Sequence, residues 1–273
     1  MKSKTFYYES YSDDFAVTQN LHSDIVDDKY KYESKNPFYH IFAFIVYQII
    51  VKPLAWLILK VWFGYKIKNK KVLRKCKNKG YFIYGNHTNY LPDAFTPNIV
   101  RCRKNYIIVT SQTTSIKGIR LLVKALGATP LGDTYQAKKN LFRFMKGRIE
   151  KKQSITIYPE AHIWPYYTDV RPFDSVNIKY QVLLNAPCYT LSYCYLKRKM
   201  IKRPKLTVYV DGPFYPNNEL DSKERLEDLT NLIYNKMKER INMYSTYSIH
   251  KYVRKESENE TREQAWNYYY YWW

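Results

Sequence analysis

The most apolar part of the chain is one continuous stretch near its beginning, FYHIFAFIVYQIIVKPLAWLILKVWFG at positions 38–64. A helix of about 27 residues is long enough to cross a bilayer core of about 30 Å. Lys52 and Pro53 interrupt its middle, where proline disfavours a helix and a charge is costly in hydrocarbon. The pattern therefore predicts two helices, 38–51 and 54–63, forming a hairpin in one leaflet. A buried core hairpin of a soluble protein is the alternative.

Downstream of this stretch the pattern changes to short β-rich runs that alternate with longer runs of helical periodicity. Strands are predicted at 81–84, 106–110, 155–158, 188–196 and 206–210. Helices are predicted at 93–101, 116–126, 134–152 and 222–242. This alternation predicts an α/β fold with a mixed, largely parallel central sheet flanked by helices, preceded by the membrane-interfacial hairpin.

The same patterns divide the chain into four parts. They are a polar N-terminal extension at 1–37, the hairpin at 38–65, an α/β core at 66–216, and a C-terminal helix with an aromatic tail at 217–273. The tail ends in WNYYYYWW, which fits a frayed terminus as well as a second interfacial anchor.

Charge is concentrated in the centre of the chain. The 273 residues include 45 Lys and Arg against 24 Asp and Glu, a formal charge of +21. Positions 36–216 contain 31 of the bases and only seven of the acids. Such a surface is expected to meet acidic lipid, phosphorylated small molecules or nucleic acid. Because a lysine-rich run follows the hairpin, an anionic membrane is favoured, with Trp56, Trp62 and Tyr65 at headgroup depth.

Other features exclude several classes of protein. An apolar content of 45% excludes a disordered chain, and only eight glycines leave little room for glycine-rich phosphate loops. Cys76, Cys102, Cys188 and Cys194 show neither zinc-site spacing nor a disulfide framework, and the start of the chain is not a signal peptide. We therefore expect a reducing cytosolic environment, with neither a metal nor a resident cofactor.

One histidine has a setting suited to catalysis. His87 directly follows the predicted strand YFIYG, and Asp93 begins the next helix. A carboxylate this close could hold one ring nitrogen and leave the other free to take a proton from a hydroxyl. The pair is therefore a candidate general-base dyad. His87 as an ordinary loop residue, with Asp93 as a helix cap, is the alternative reading.

A second strand end carries the string Tyr158-Pro159-Glu160-Ala161-His162. If the two strands are parallel neighbours, Glu160 should point into the same cleft as His87 and could accept hydrogen bonds from a polyol. No activated serine or cysteine lies near His87 in the sequence. Direct transfer between two bound substrates is therefore favoured over a covalent intermediate.

The order of these motifs resembles the lysophospholipid and 1-acylglycerol-3-phosphate acyltransferase family. The resemblance covers about Phe38 to Phe214: an apolar hairpin, a strand with Asn-His and a following Asp, a strand with Pro-Glu, and a strand after Ala186-Pro187. It implies that His87 is the base and Asp93 its orienting partner. It also implies substrate-binding roles for Asn86, Pro159 and Glu160, with acyl-CoA or acyl carrier protein as the co-substrate.

The chain departs from the family pattern at three places. Five residues rather than four separate His87 from Asp93, and Ala161 replaces the glycine of Phe-Pro-Glu-Gly. Asp133 falls where the family has a phosphate-binding arginine, so a phosphate on the acceptor would need another cation. The candidates for that cation are Lys117, Arg120, Lys124, Lys138 and Arg171.

These features predict an O-acyltransferase on the cytoplasmic face of the cell membrane, peripheral or monotopic. It would transfer an acyl group from a thioester to a hydroxyl of a lysophospholipid or glycerol-phosphate-like acceptor. Two alternatives stay open at this point: a basic nucleic-acid-binding protein, although no nucleic acid is expected, and an acyl ester hydrolase of the same fold.

Overall fold

The computed structural model describes residues 2–15, 23–101, 103–116 and 118–255. The strands are β1 (Thr5–Tyr8), β2 (Lys66–Lys68), β3 (Tyr81–Gly85), β4 (Asn105–Val109), β5 (Ala128–Pro130), β6 (Ser154–Ile157), β7 (Cys188–Leu196), β8 (Lys205–Phe214) and β9 (Lys251–Arg254). The α-helices are α1 (Pro37–Phe44), α2 (Lys52–Phe63), α3 (Tyr90–Val100), α4 (Ser111–Ser115), α5 (Arg120–Ala125), α6 (Tyr135–Glu150), α7 (Lys179–Leu183) and α8 (Ser222–Tyr244). Short 3₁₀ helices lie at Lys70–Cys76 and Ser175–Asn177, and Ile45–Val51 is π-helical.

Seven strands form one mixed sheet in the order β2-β8-β7-β3-β6-β4-β5. The five strands from β7 to β5 in that order are parallel, whereas β8 runs antiparallel to β7 and β2 follows the direction of β8. Helices α2 and α3 cover one face of the sheet, and α6, α7 and α8 contribute to the core on the other. The predicted fold class is confirmed.

Most predicted elements of the core are present, and the differences have local causes. The predicted helix at 116–126 is wrong as one unit, because Gly118 adopts a φ of +83° and α5 begins only at Arg120. Helix α3 begins three residues earlier than predicted, since the Asp93 carboxylate caps the Asn89 amide before its first turn. Strands β2 and β5 were missed because three-residue strands carry almost no periodic signal.

The apolar stretch forms one run of helix, the apolar helical segment, Pro37–Phe63. Its boundary falls at Lys52, where the prediction put it, but Val51 and Lys52 are both α-helical in dihedral angles, so the two parts join without a loop. The backbone of Lys52 donates to the carbonyl of Tyr47, five residues earlier. This wider turn immediately precedes Pro53, whose ring cannot fit a regular α-helical hydrogen-bond ladder.

One face of the apolar helical segment packs on the core. Ala55, Leu59 and Phe63 are buried in the cluster that also covers β3 and β7. In the first half of the segment, the Tyr47 hydroxyl donates to Asn98 at 2.9 Å and accepts from the Asn105 amide at 3.0 Å. Contact with the core thus continues over both halves of the segment.

The opposite face of the segment is exposed and almost entirely apolar. Its exposed side chains include Phe38, Ile41, Phe44, Ile45, Ile49, Leu54, Trp56, Leu57, Val61 and Trp62. An apolar face of this extent is typical of a surface that meets lipid or protein. Tyr65 was predicted to lie at headgroup depth and does not, because it is buried in the core beside Leu59.

The first and last strands of the described chain form a separate two-stranded sheet. Strands β1 and β9 pair in parallel, from Thr5 with Lys251 to Tyr8 with Arg254. Trp164 packs below them, with its ring stacked on Tyr252 at 5.0 Å between centroids and its Nε1 donating to the Asp13 carbonyl at 2.7 Å. The aromatic tail begins at 256 and lies outside the described residues, as do Cys102 and Lys117.

Candidate active site

The candidate site lies where β3 ends. All five residues of β3 are buried, and its hydrogen bonds to β6 and β7 fix the position of the loop that follows. Asn86 begins that loop; its side chain accepts from the Tyr193 amide at 2.9 Å and donates to the Tyr193 carbonyl at 3.4 Å. Asn86 is fully buried, so the structure gives it a role in fixing the loop. Its predicted role in substrate binding stays a prediction.

His87 and Asp93 are in direct contact. Nδ1 of His87 lies 2.8 Å from Oδ2 of Asp93, and this oxygen also accepts from the amides of Thr88 at 2.8 Å and Asn89 at 2.9 Å. The extra residue between them, relative to the family pattern, is therefore accommodated. Asp93 both caps α3 and holds the imidazole, so the two readings of this residue are compatible.

The environments of the two members of the pair differ. Asp93 is 1% exposed, whereas the His87 side chain is 17% exposed. Burial raises the pKa of the Asp93 carboxyl, while the hydrogen bonds from His87 and the two amides favour its ionised form. When Asp93 is ionised it can only accept, so in that state Nδ1 of His87 carries the proton and Nε2 carries a lone pair. The second nitrogen is thereby prepared to accept a proton.

A tyrosine that was not predicted as a site residue completes the support of this pair. The Tyr158 ring stacks on the His87 ring, with 4.5 Å between centroids and 15° between planes. Its hydroxyl donates to the Asp93 carbonyl at 2.5 Å. In α3 that carbonyl would normally receive the amide of residue 97, but Pro97 has none. The Tyr158 hydroxyl therefore satisfies an acceptor that Pro97 leaves without its helical partner.

Glu160 follows β6, the parallel neighbour of β3, and does approach His87. Its Oε2 accepts from the His87 amide at 3.0 Å and from Arg171 Nη2 at 2.9 Å. Oε1 accepts from the Arg171 amide at 3.0 Å. Both side chains of the pair are completely buried. Burial raises the pKa of Glu160, and Arg171 opposes that shift. Since its oxygens are engaged by the chain, direct contact of Glu160 with an acceptor stays a prediction.

The loop after Glu160 fixes the backbone around His87. The Trp164 amide donates to the His87 carbonyl at 3.1 Å, and the Tyr166 amide donates to the Thr88 carbonyl at 2.9 Å. Ala161 turns the chain into this loop with a φ of +64°, a region that glycine adopts without strain. A glycine at this position would therefore fit the turn with less strain than Ala161 does. Pro159 precedes the turn, and its carbonyl accepts from Asn177 at 3.1 Å.

The region of Asp133 is occupied by the N-terminal extension. The Asp133 carboxylate accepts from the Val26 amide at 2.7 Å, and the Asp133 amide donates to the Val26 carbonyl at 3.0 Å. Nearby, Arg120 forms an ion pair with Asp24 and donates to the Thr114 carbonyl. Asp133 thus binds the chain's own backbone, and Arg120 already has an anionic partner.

The predicted site residues therefore fall into groups. His87, Asp93 and Glu160 meet at the ends of β3 and β6, and Arg171 joins them through Glu160. Arg120 and its partner Asp24 lie at the N-terminal extension. Tyr158 was missed, although the replacement of the family's phenylalanine by a tyrosine signalled an added hydroxyl. No group of three or more metal-ligating side chains was found among the described residues.

Comparison with known proteins shows the fold. Neither a protein-family model nor a curated protein sequence matches this chain. Among solved structures, the 1-acyl-sn-glycerophosphate (LPA) acyltransferase PlsC of Thermotoga maritima is similar, with a TM-score of 0.50 and 13% sequence identity. The match covers 74% of this chain and 88% of the bacterial one. At this identity the similarity extends to the fold.

Proposed function

We propose that this protein is a membrane-associated O-acyltransferase in which His87 is the general base. The observation that carries the proposal is the contact between His87 Nδ1 and the buried carboxylate of Asp93, at the carboxyl end of a parallel strand. A ligand site at this edge is typical of parallel α/β sheets. The fold shared with the bacterial acyltransferase and the exposed apolar helical segment support the same function.

The geometry suits transfer in two proton movements at one nitrogen. Nε2 of His87 accepts the proton of the acceptor hydroxyl as its oxygen attacks the carbonyl carbon of the acyl thioester. The tetrahedral intermediate collapses, the C–S bond breaks, and the thiolate takes the same proton back from Nε2. Asp93 stabilises the imidazolium between the two steps. The products are an ester and a free thiol, and neither a metal nor a redox step is needed.

Glu160 and Arg171 act on this reaction through the backbone. Their buried pair holds the His87 amide from one side, while the Trp164 amide holds the His87 carbonyl from the other. A base whose main chain is fixed at both ends loses little entropy on reaching a productive geometry. In this proposal Glu160, Arg171 and Tyr158 are positioning residues.

The acceptor and product are lipids in this proposal, because the apolar helical segment lies next to the helix that carries Asp93. Helix α2 packs against α3, and Tyr90 and Leu91 at the start of α3 are exposed beside His87. Exposed lysines of β2 follow the segment, and Arg203 lies over the Trp62 ring at 4.3 Å. This arrangement favours an anionic membrane surface.

The reaction is tested with acyl-CoA and acyl carrier protein thioesters, each offered with a panel of lysophospholipids and glycerol 3-phosphate. Thiol release is measured together with the lipid products by mass spectrometry. We expect thiol release that depends on an acceptor and yields an equal amount of ester. Free fatty acid released at a rate indifferent to the acceptor would assign the site to a hydrolase instead.

Membrane association is tested by flotation with vesicles of phosphatidylcholine and phosphatidylglycerol. Replacing two exposed residues, Leu57→Ser with Val61→Ser, should weaken partitioning by about 10-fold or more, because each removes apolar surface from the lipid. The matched control is Leu232→Ser with Met243→Ser, which changes exposed positions of α8. Equal flotation of both double variants, or salt-dependent binding to oligonucleotides without flotation, would contradict the proposal.

A further inference from the structure

A cavity of about 730 Å³ lies beside edge strand β5, and neither His87 nor Asp93 lines it. Its floor comes from β4, β5 and α6, and its cover is the N-terminal extension from Tyr30 to Asn36. Small-molecule sites commonly have volumes of about 300–1,000 Å³. The cavity is therefore large enough for a ligand of substantial size.

The cavity is strongly positive. Among its lining side chains are five Lys or Arg residues and one carboxylate, Glu33; the five are Lys31, Lys35, Lys104, Lys124 and Arg148. Glu33 is already paired with Arg148 and with Lys151 at 3.2 Å. In the described part of the chain, neither Lys104 nor Lys124 has an ion-pair partner, although both are partly buried. A partly buried ammonium group without an anionic partner loses part of its hydration, and an anionic ligand would compensate for that loss.

The environment of the two lysines supports this. Burial and the neighbouring Arg148 lower the pKa of Lys104 to about 8. Burial and Arg120 also lower the pKa of Lys124. Both ammonium groups lie over tyrosine rings, Lys104 at 5.3 Å from the centroid of Tyr106 and Lys124 at 4.4 Å from that of Tyr30. The faces of the rings attract the two ammonium groups but do not neutralise their charge, as an anion would.

The rest of the lining is aromatic. Tyr30 and Tyr32 meet edge to face at 4.8 Å, Tyr32 lies 5.7 Å from Phe144, and Phe144 lies 5.2 Å from Tyr106. The buried Tyr32 hydroxyl has no hydrogen-bond partner among the described residues. A nucleobase can stack on rings of this kind whatever its sequence identity. Cations for phosphate and rings for a base are thus placed around one space.

We propose that this cavity, bounded by Tyr30, Lys104 and Lys124, binds a ligand of the nucleotide class, with its phosphates at the lysines and its base among the aromatic rings. Two sources carry this chemistry. One is the nucleotide end of a coenzyme A thioester, which would make the cavity part of the donor site and rests on the proposed function. The other is a free nucleotide that acts as an effector.

Binding is tested by isothermal titration calorimetry on the full chain, with adenosine 3′,5′-bisphosphate as the probe at fixed salt concentration. Lys104→Gln combined with Lys124→Gln should raise Kd by about 10- to 100-fold, since each loses a charge-assisted hydrogen bond. The control is Lys179→Gln, which removes an exposed lysine elsewhere and should leave Kd unchanged. Tyr30→Leu should weaken the bisphosphate but not inorganic phosphate.

The outcomes separate the sources and the two proposals. Competition by coenzyme A, together with a raised KM for the thioester at unchanged kcat in the lysine variant, identifies the donor. Binding of ATP with no change in that KM identifies an effector. No binding at millimolar concentration, an unchanged Kd in the lysine variant, or inorganic phosphate binding as tightly as the bisphosphate would overturn the inference. Binding of the bisphosphate is measured without any acyl transfer. Its failure therefore does not bear on the proposed role of His87, and inactivity of the enzyme does not bear on the binding.

Discussion

Two buried carboxylates at the ends of neighbouring parallel strands have different partners and different surroundings. Asp93, after β3, holds a histidine that is 17% exposed. Glu160, after β6, holds an arginine from which solvent is completely excluded. Each carboxylate accepts hydrogen bonds from two backbone amides in addition to the side chain of its partner. The two pairs, called corners below, are thus alike in having a buried acid. They differ in whether solvent reaches the partner: it reaches His87 and not Arg171.

In the proposed mechanism, His87 and Arg171 differ in exposure to solvent and in whether they can exchange a proton. A guanidinium keeps its proton at physiological pH and, completely buried, cannot meet a substrate. An imidazole held at one nitrogen and reachable at the other can exchange a proton. We therefore expect substitutions of His87 or Asp93 to act directly on the transfer rate. Substitutions of Glu160 or Arg171 should act mainly on stability, and on the rate only through the position of His87. The predictions below test this division.

The largest effect is expected for His87→Ala. Loss of a general base should lower the transfer rate by about 10²- to 10⁴-fold. The free energy of unfolding should change by no more than about 2 kcal/mol. Initial rates of thiol release and urea unfolding measure the two quantities. His162→Ala, which removes a partly exposed histidine beside Asp14, is the control. A variant of His87 with a nearly normal rate would remove the base from the mechanism.

Arg171→Ala should mainly affect stability. It leaves the Glu160 charge buried without its partner, which costs about 3–5 kcal/mol of unfolding free energy. Urea unfolding followed by tryptophan fluorescence measures this loss. The matched control is Arg120→Ala, which breaks the exposed pair with Asp24 and should cost less than about 1 kcal/mol. Similar losses in the two variants would contradict a structural role for the buried pair.

Tyr158→Phe tests the connection between the two corners. Tyr158 directly follows β6, two residues before Glu160, and contacts both His87 and Asp93. Burial raises the pKa of Tyr158 well above its usual range, so the hydroxyl stays protonated and donates to the Asp93 carbonyl. Without it that carbonyl loses its partner, and stability should fall by about 1–3 kcal/mol. Loss of alignment should lower kcat on the order of 10-fold, with KM little changed.

The control for this variant is Tyr193→Phe. The Tyr193 hydroxyl bonds to the Tyr158 hydroxyl at 2.9 Å, so its removal leaves the bond to Asp93 in place. We expect a change in stability but a nearly unchanged kcat. If both variants reduce kcat equally, Tyr158 does not position the dyad and the effect reflects general loosening of the core.

The smallest effect is expected for Ala161→Gly. The φ of +64° at this position is strained for alanine and free for glycine, which also gains more entropy on unfolding. The balance should stabilise the protein by about 0.5–1 kcal/mol, measured as a higher urea midpoint at unchanged slope. The matched variant Ala186→Gly, at a buried alanine outside the left-handed region, should destabilise instead. A stabilised Ala186→Gly would contradict the strain argument.

Local sequence patterns were enough to predict the central strands, the helical apolar segment and the closeness of His87 to Asp93. A buried β-rich run can be recognised from its own residues. His87 and Asp93 are six positions apart, so the loop and the start of α3 keep their side chains close together. The sequence also placed Glu160 beside His87, through the rule that parallel strands end at one edge of a sheet.

Contacts between residues far apart in the chain follow from the packing of the fold and could not be predicted from local patterns. Arg171 meets Glu160, Asp133 binds the backbone of Val26, and Tyr158 replaces the amide that Pro97 lacks. The partners in such contacts have no fixed spacing, since loops of many lengths can join the same two points at similar cost in free energy. A sequence pattern therefore shows that a buried charge needs a partner, and packing selects which one it has.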